Sequence, residues 1–396
     1  MEKRLLEREL GLWGAVITGL GSIIGTGAFV AIGLAAGMWG DVVLWAVPLA
    51  ALVAVFNGLS SAFLAGRFPV AGGTYEYGYQ TLDPWLGFTA GWLFLLAKTA
   101  SAATAALGVG LYLGVGGPFV PILSVFAVTW MVLAGVRRTA WLNTVLVIVS
   151  AGAILWFAAG NLVRFGVRPV DGPPFEPADL AASIAFLFVA YTGYGRIATL
   201  GEEVRSPEVV IPKAVVITLA VAAGLYMLVE LGGRASGGPF WGADAGVVDA
   251  GGTVVAVGAI AAMLGVLLNL VLGLSRVWLA MGRRGDMPSA LARLSGRTQP
   301  TTAIVLAAAM VSGMTFLGDI GLAWSFSAMT VLLYYGITNL AALALDKRRV
   351  TAWMGLASCL FLSFFVPAGV WLTGATMIGV GLIWKTLYRR PEKGVV

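Results

Sequence analysis

The chain has 396 residues, of which 59% are hydrophobic and only 11% charged, with a formal net charge of +6. A soluble domain carries about a quarter charged residues, so a water-soluble globular fold is excluded and the chain reads as an all-α polytopic membrane protein. It has no histidine and a single cysteine, Cys359, which excludes an intramolecular disulfide and leaves no cluster for metal or redox work. No cofactor or metal is expected.

Residues 1–11 carry charges of both signs and precede a full-length apolar run, the pattern of a cytosolic tail and not of a cleaved signal peptide. Twelve apolar segments follow, at 12–36, 42–65, 86–114, 119–135, 141–163, 180–200, 211–232, 252–282, 301–317, 322–345, 352–368 and 370–388, and residues 389–396 form a second tail. An even number of crossings puts both termini on one side. Of the 25 Lys and Arg residues, Arg164, Arg168 and Arg234 fall on the opposite side and Lys98 lies within a span. All the others, Arg67, Arg137, Arg138, Arg283, Arg284 and Lys347 among them, fall on the side of the termini, which marks that side as cytoplasmic. The same bias accounts for the positive net charge without nucleic acid. The expected location is the cytoplasmic (inner) membrane.

The first segment is uncharged from Leu12 to Ala36, yet its centre reads Gly21-Ser22-Ile23-Ile24-Gly25-Thr26-Gly27-Ala28-Phe29. Three glycines and two hydroxyl residues at mid-depth predict a helix that breaks halfway across. Lipid cannot satisfy the backbone groups a break frees, so such a break lines a protein cavity. Gly21 and Gly25 also have the spacing of a close-packing face, which is the plainer reading of the glycines alone.

In the third segment Lys98 lies near the centre, roughly 15 Å or more from either interface at about 1.5 Å per residue. Its stem cannot reach either interface, so it faces the interior, where an ionisable side chain is a functional candidate by default. It can carry a coupling proton or act as a fixed positive charge; the plainer reading is a lysine held by helix-end carbonyls. Ser101, one turn on, is placed against the substrate.

The sixth segment repeats the theme with Ala190-Tyr191-Thr192-Gly193-Tyr194-Gly195. Thr26-Gly27 and Thr192-Gly193 lie about 166 residues apart, close to the offset between the five-segment units 12–163 and 180–345. An odd number of segments per unit inverts the second relative to the first. Paired interruptions in two inverted halves point to a transporter binding site.

These pieces together resemble the amino acid–polyamine–organocation (APC) superfamily. The resemblance is carried by Gly21–Phe29, by Phe68-Pro69 with Gly72-Gly73-Thr74-Tyr75-Glu76-Tyr77 and Gly91-Trp92, and by Gly135-Val136 with Asn143. It continues with Ala190–Tyr194, Glu202-Glu203-Val204, Pro207, Ile211-Pro212-Lys213-Ala214, and Ser275-Arg276 with Met281, Gly285 and Pro288, so that it runs from about residue 10 to 345. It implies a ten-helix core of two inverted repeats with broken first and sixth helices, and two peripheral helices at 352–388. It also implies an amino acid or related amine bound between the two breaks. In that frame the N–H groups of Gly25, Thr26 and Gly27 suit a substrate carboxylate. Free carbonyls of Val189, Ala190 and Thr192, with Ile23, suit its ammonium, and Gly193 completes the sixth-span break. Members of the family often place an aromatic before the Ala190-Tyr191 pair as a lid, and this chain has Val189 there with Phe188 beside it. Many proton-coupled members place a lysine in the fifth span, and the matching position is Ser150.

No central segment carries an Asp or Glu at mid-depth; Glu230 lies near the outer end of the seventh, and Glu202 and Glu203 at the inner end of the sixth. The substrate expected is therefore a neutral L-amino acid, small or branched. Glu202 and Glu203 can pair with Arg196 or Arg276, or simply be solvated. Pro212 reads as the start of the seventh helix, the loop 66–84 as packed on the cytoplasmic face, and Trp13, Trp39, Trp141 and Trp384 as interfacial anchors. Sodium would need several oxygen ligands, and the eighth segment offers mainly Asn269 and Ser275. The function expected is secondary active transport by alternating access, proton-coupled through Lys98, with ion-independent exchange or a non-transporting receptor as alternatives. A channel lacks its polar stripe, and an enzyme lacks catalytic groups.

Overall fold

A computed structural model describes residues 10–70, 72–167, 176–199, 201, 203–236, 248–295 and 299–388. The tails at 1–9 and 389–396, Arg168, Glu202 and the 237–247 part of the long loop lie outside the described residues. The rest is helical, in the order α1 Leu12–Ile23, α2 Ile32–Trp39, α3 Val43–Arg67, α4 Thr74–Thr81, α5 Pro84–Tyr112, α6 Phe119–Leu133, α7 Val136–Phe165, α8 Pro177–Tyr191, α9 Gly195–Ala198, α10 Pro207–Ser236, α11 Val248–Arg284, α12 Thr301–Thr315, α13 Ile320–Leu345, α14 Val350–Ser363 and α15 Ala368–Leu387. Span one is α1 and α2 joined by a π-helical turn, Gly27–Ala31; span six is α8 and α9 joined by a 3-10 turn, Thr192–Tyr194. The other spans are α3, α5, α6, α7, α10, α11, α12, α13, α14 and α15, of which α11 is kinked at Gly252 (φ 61°), so the twelve expected segments are recovered. The protein is an all-α multi-pass membrane protein.

Local chemistry sets several helix starts. Asp83 caps α5 by accepting from the N–H groups of Trp85 (2.7 Å) and Leu86 (3.1 Å), with Pro84 in the first position, where a missing N–H costs nothing. Asp319 caps α13 through the N–H of Leu322 at 2.9 Å. Pro212 differs from its expected role: α10 begins at Pro207, and Pro212 sits inside the helix. Pro207 supplies the favourable first-position proline instead, and Pro212 forgoes one backbone bond in the second turn.

Burial separates centre from periphery. In the most apolar stretch of α5, 94% of residues are buried inside the protein, against 22% in α15. A helix buried all round belongs at the centre of a bundle, so α5 is the axial element and Lys98 stands at its middle. The two final helices join the core through a few polar contacts. Cys359 on α14 donates to Asn57 Oδ1 (3.2 Å), which also accepts from Asn339 Nδ2 (2.7 Å), and Trp92 Nε1 donates to Met377 O at 2.8 Å.

The two ends of the bundle are fastened differently. At one end Arg234 donates to Glu230 Oε1 at 2.8 Å, to Asp41 O at 3.0 Å and to the Asp41 carboxylate. At the other, Leu10 pairs with the 203–205 segment through Leu10 N to Glu203 O (3.0 Å) and Arg205 N to Leu10 O (2.9 Å). There the loop after α3 forms α4, which lies across that end of the bundle. Tyr75 and Tyr79 on α4 both donate to Asp286 Oδ2, at 2.7 and 2.6 Å, and Lys385 Nζ donates to Tyr79 Oη at 2.6 Å. Burial, and then the Asp286 carboxylate, push both phenols above their ordinary ionisation range, so they stay neutral donors. Of the tryptophans read as anchors, Trp13, Trp141 and Trp384 are exposed. Trp39 instead packs its ring 5.6 Å from Phe186, and Trp384 also donates to Asp286 O.

Candidate binding site between the two interrupted spans

Helix α1 ends at Ile23 because Ile24 turns extended (ψ 102°) and the helical path resumes only at Thr26. Glycine is required here by close approach. A Cβ on Gly193 would strike the backbone oxygen of Ser22, and one on Gly27 would lie 2.6 Å from Ala190 Cβ. The two interruptions therefore touch each other, backbone to backbone.

A cavity lies beside this crossing, lined by Ser22, Ile23, Thr26 and Gly27 from span one, Val189, Ala190, Thr192 and Gly193 from span six, and Lys98 and Ser101 from α5. Val266 and Leu270 of α11 and Trp324 of α13 complete it. It holds about 320 Å³ of space not filled by atoms, part of it open to solvent. Of the residues the sequence singled out, Gly25, Ser150, Phe188 and Tyr191 are not among those lining it. Gly25 is packed against Val266, and Tyr191 Oη donates to Val47 O at 3.1 Å. Ser150 bonds within its own helix, to Val147 O at 3.1 Å, and Phe188 packs on Tyr335 at 5.8 Å between ring centres.

An aromatic cluster extends from Trp324 of the cavity wall. The Phe186 ring lies 5.6 Å from Trp39 and 6.1 Å from Trp324 between centres, and Trp324 Nε1 donates to Phe186 O at 2.9 Å. No local sequence pattern links Phe186 and Trp324, which lie 138 residues apart.

Polar groups in the cavity fall into two sets. Lys98 Nζ donates to Thr192 Oγ1 at 2.9 Å and to Thr192 O at 3.3 Å, and Thr192 Oγ1 in turn donates to Val189 O at 2.8 Å. Tyr335 Oη also donates to Thr192 O, at 3.3 Å. Tyr226 Oη, from α10, lies 2.7 Å from Ile23 O and 3.0 Å from Ala190 O. The carbonyls expected to stand free at the breaks thus carry protein donors, because a buried carbonyl without a partner is costly. The second set is open: Thr26 Oγ1 is buried and has no hydrogen-bond partner. Near it begins the second helical stretch of span one, whose leading N–H groups have no carbonyl one turn back to bond. Ser101 Oγ lies 2.8 Å from Ser327 Oγ, which reaches Ala97 O at 3.1 Å. Lys98 is the one charged residue among the cavity's lining residues.

Flanking polar joints fix this arrangement. Asn143 of α7 donates to Ile17 O at 3.1 Å and accepts from Asn269 Nδ2 at 2.5 Å, with Gly21 pressed against its amide. Ser275 donates within α11, to Leu272 O at 2.7 Å. Glu203, for which solvation was one reading, is buried and lies 3.4 Å from Arg276 Nε, while Arg196 Nη1 donates to Thr199 Oγ1 at 3.0 Å.

Residues 14–231 match the amino acid permease family. An uncharacterized transporter of Mycobacterium tuberculosis is 38% identical over 95% of this chain and 90% of its own length. The branched-chain amino acid permease BcaP of Bacillus subtilis is 28% identical over 74% of this chain and 70% of its own. The methylthioribose transporter of the same species is 26% identical over 99% and 95% respectively.

Proposed function

Because this chain belongs to the amino acid permease family of transporters, we propose that it moves a neutral L-amino acid, small or branched, across the cytoplasmic membrane by secondary active transport. The observation that carries the reading is the buried Thr26 hydroxyl without a partner, set in a cavity beside the restart of an interrupted helix. A substrate carboxylate takes that hydroxyl together with the N–H groups of Thr26 and Gly27, where the helix dipole favours negative charge. Ser101, Val266, Leu270 and Trp324 surround the substrate side chain. No Asp or Glu is among the lining residues and Lys98 is, so a cationic side chain finds repulsion and no counter-charge. The name of the Bacillus branched-chain permease agrees with an apolar substrate.

In this reading spans one to five and six to ten are inverted repeats, both termini are cytoplasmic, and spans one and six rock together to open the cavity to either side. Lys98 carries the coupling proton. The Trp39–Phe186–Trp324 cluster closes one side and the Glu203–Arg276 pair with the Leu10 tie closes the other.

The test is uptake of radiolabelled L-leucine and L-alanine into proteoliposomes. Competition by leucine or alanine stronger than by arginine is expected, and the reverse order overturns the neutral-substrate reading. Counterflow, in which unlabelled substrate inside accelerates entry of label, separates transport from mere binding. Stimulation by an imposed pH gradient in the native protein but not in Lys98→Met is expected. Equal stimulation in both removes Lys98 from coupling.

A further inference from the structure

We propose that Lys98 is an internal stand-in for the substrate's amine, holding the Thr192 oxygens until substrate arrives and giving up its proton when substrate takes them. The inference rests on the proposed function and adds to it the order and direction of the proton step.

Thr192 lines the cavity, and its main-chain and side-chain oxygens both receive Lys98 Nζ, at 3.3 and 2.9 Å. The other carbonyls at the two breaks are engaged from behind. Ile23 O and Ala190 O share the one hydroxyl proton of Tyr226, which is not among the cavity's lining residues, and Val189 O receives the Thr192 hydroxyl. Thr192 is therefore the acceptor that both a substrate ammonium and an ammonium of the protein itself can reach from the cavity. Lys98 occupies it in this state, and no carboxylate among the described residues pairs with Lys98.

Two ammonium groups sharing one acceptor in a buried site repel strongly, since nothing there screens them. Loss of one proton resolves the conflict. The N–H bond of the Lys98 ammonium breaks, its electron pair stays on Nζ, and the proton passes to water on the side to which the cavity is open. The neutral amine then accepts a hydrogen bond from the substrate ammonium, so that a competitor becomes a ligand. When substrate leaves, Nζ regains a proton from water and returns to Thr192.

The ionisable groups around Lys98 do not supply an alternative proton. On α13 these are Tyr335, which shares Thr192 O, and Tyr334, whose ring packs 5.5 Å from Phe94. Tyr194, on the 3-10 turn, stacks 5.2 Å from Tyr335. Arg196 on α9 is bonded to Thr199, and Arg276 on α11 is paired with Glu203. Among the described residues none of the elements packed against the middle of α5 brings a carboxylate to it.

The experiment is binding of L-leucine and of L-alanine to the purified full chain, by calorimetry in buffers of different ionisation enthalpy between pH 6 and 9. Release of up to one proton per ligand bound is expected, with affinity rising by as much as about tenfold per pH unit where Lys98 is charged. Lys98→Met is expected to bind with no proton release, with flat pH dependence, and at acidic pH more tightly than the native chain. Lys98→Arg keeps a charge it cannot shed and is expected to bind at least tenfold more weakly at every pH. Binding without proton release, or with proton uptake, overturns the inference and leaves the proposed function standing. Absence of binding by either amino acid at every pH overturns both.

Discussion

Gly193 of span six rests directly on the backbone oxygen of Ser22 in span one, with no side chain between the two interruptions. Beside that contact, Thr26 and Thr192 line one cavity. The contact makes the crossing intolerant of added volume.

Gly193→Ala is therefore expected to be severe. The added methyl meets main chain, which cannot rotate away, and overpacking of this kind costs about 1–3 kcal/mol. Leucine uptake should fall by tenfold or more and the unfolding temperature in detergent should drop. A variant with native uptake and stability would mean that the two breaks are not in contact.

Thr26→Val keeps the volume and removes only the unpartnered hydroxyl. A hydrogen bond to a charged group contributes about 1.5–3 kcal/mol, so leucine affinity should weaken roughly ten- to a hundredfold while the unfolding temperature stays unchanged or rises. A fall in stability without a change in affinity would assign Thr26 to packing instead.

Arg234 holds the buried Glu230 and the Asp41 carboxylate together at one end of the bundle. Removing the arginine alone strands Glu230, and breaking a buried pair from one side costs about 3–5 kcal/mol. Arg234→Met should thus lower the unfolding temperature sharply, and adding Glu230→Gln should recover part of the loss. No recovery in the double variant would show that Glu230 is not the source of the cost.

At the other end, Tyr75 and Tyr79 stay protonated in the folded chain beyond the range in which an unfolded chain ionises. Their contribution is complete below about pH 10, the ordinary phenol value. It is lost as pH rises above that value, because the unfolded state then releases protons that the folded state retains. Thermal stability measured from pH 9 to 11 should decline, and Tyr75→Phe with Tyr79→Phe should make the decline shallower. An unchanged slope would rule these two phenols out as its cause.

Class, the twelve apolar segments and the places where two of them are interrupted are all legible in the amino-acid order. Those features are local: apolar length, a lysine at mid-span, glycines and hydroxyls where a helix should be featureless. The same order also names most of the cavity, since Ile23, Thr26, Gly27, Lys98, Ser101, Val189, Ala190, Thr192 and Gly193 all line it. What those groups do to one another depends on how the spans pack. The composition of the two breaks suggests free carbonyls at Ile23, Val189 and Ala190, and the hydroxyls of Tyr226 and Thr192 reach them. The physical reason is that a broken helix announces its unsatisfied backbone in its own composition, whereas the donor that satisfies it comes from whichever span packs alongside.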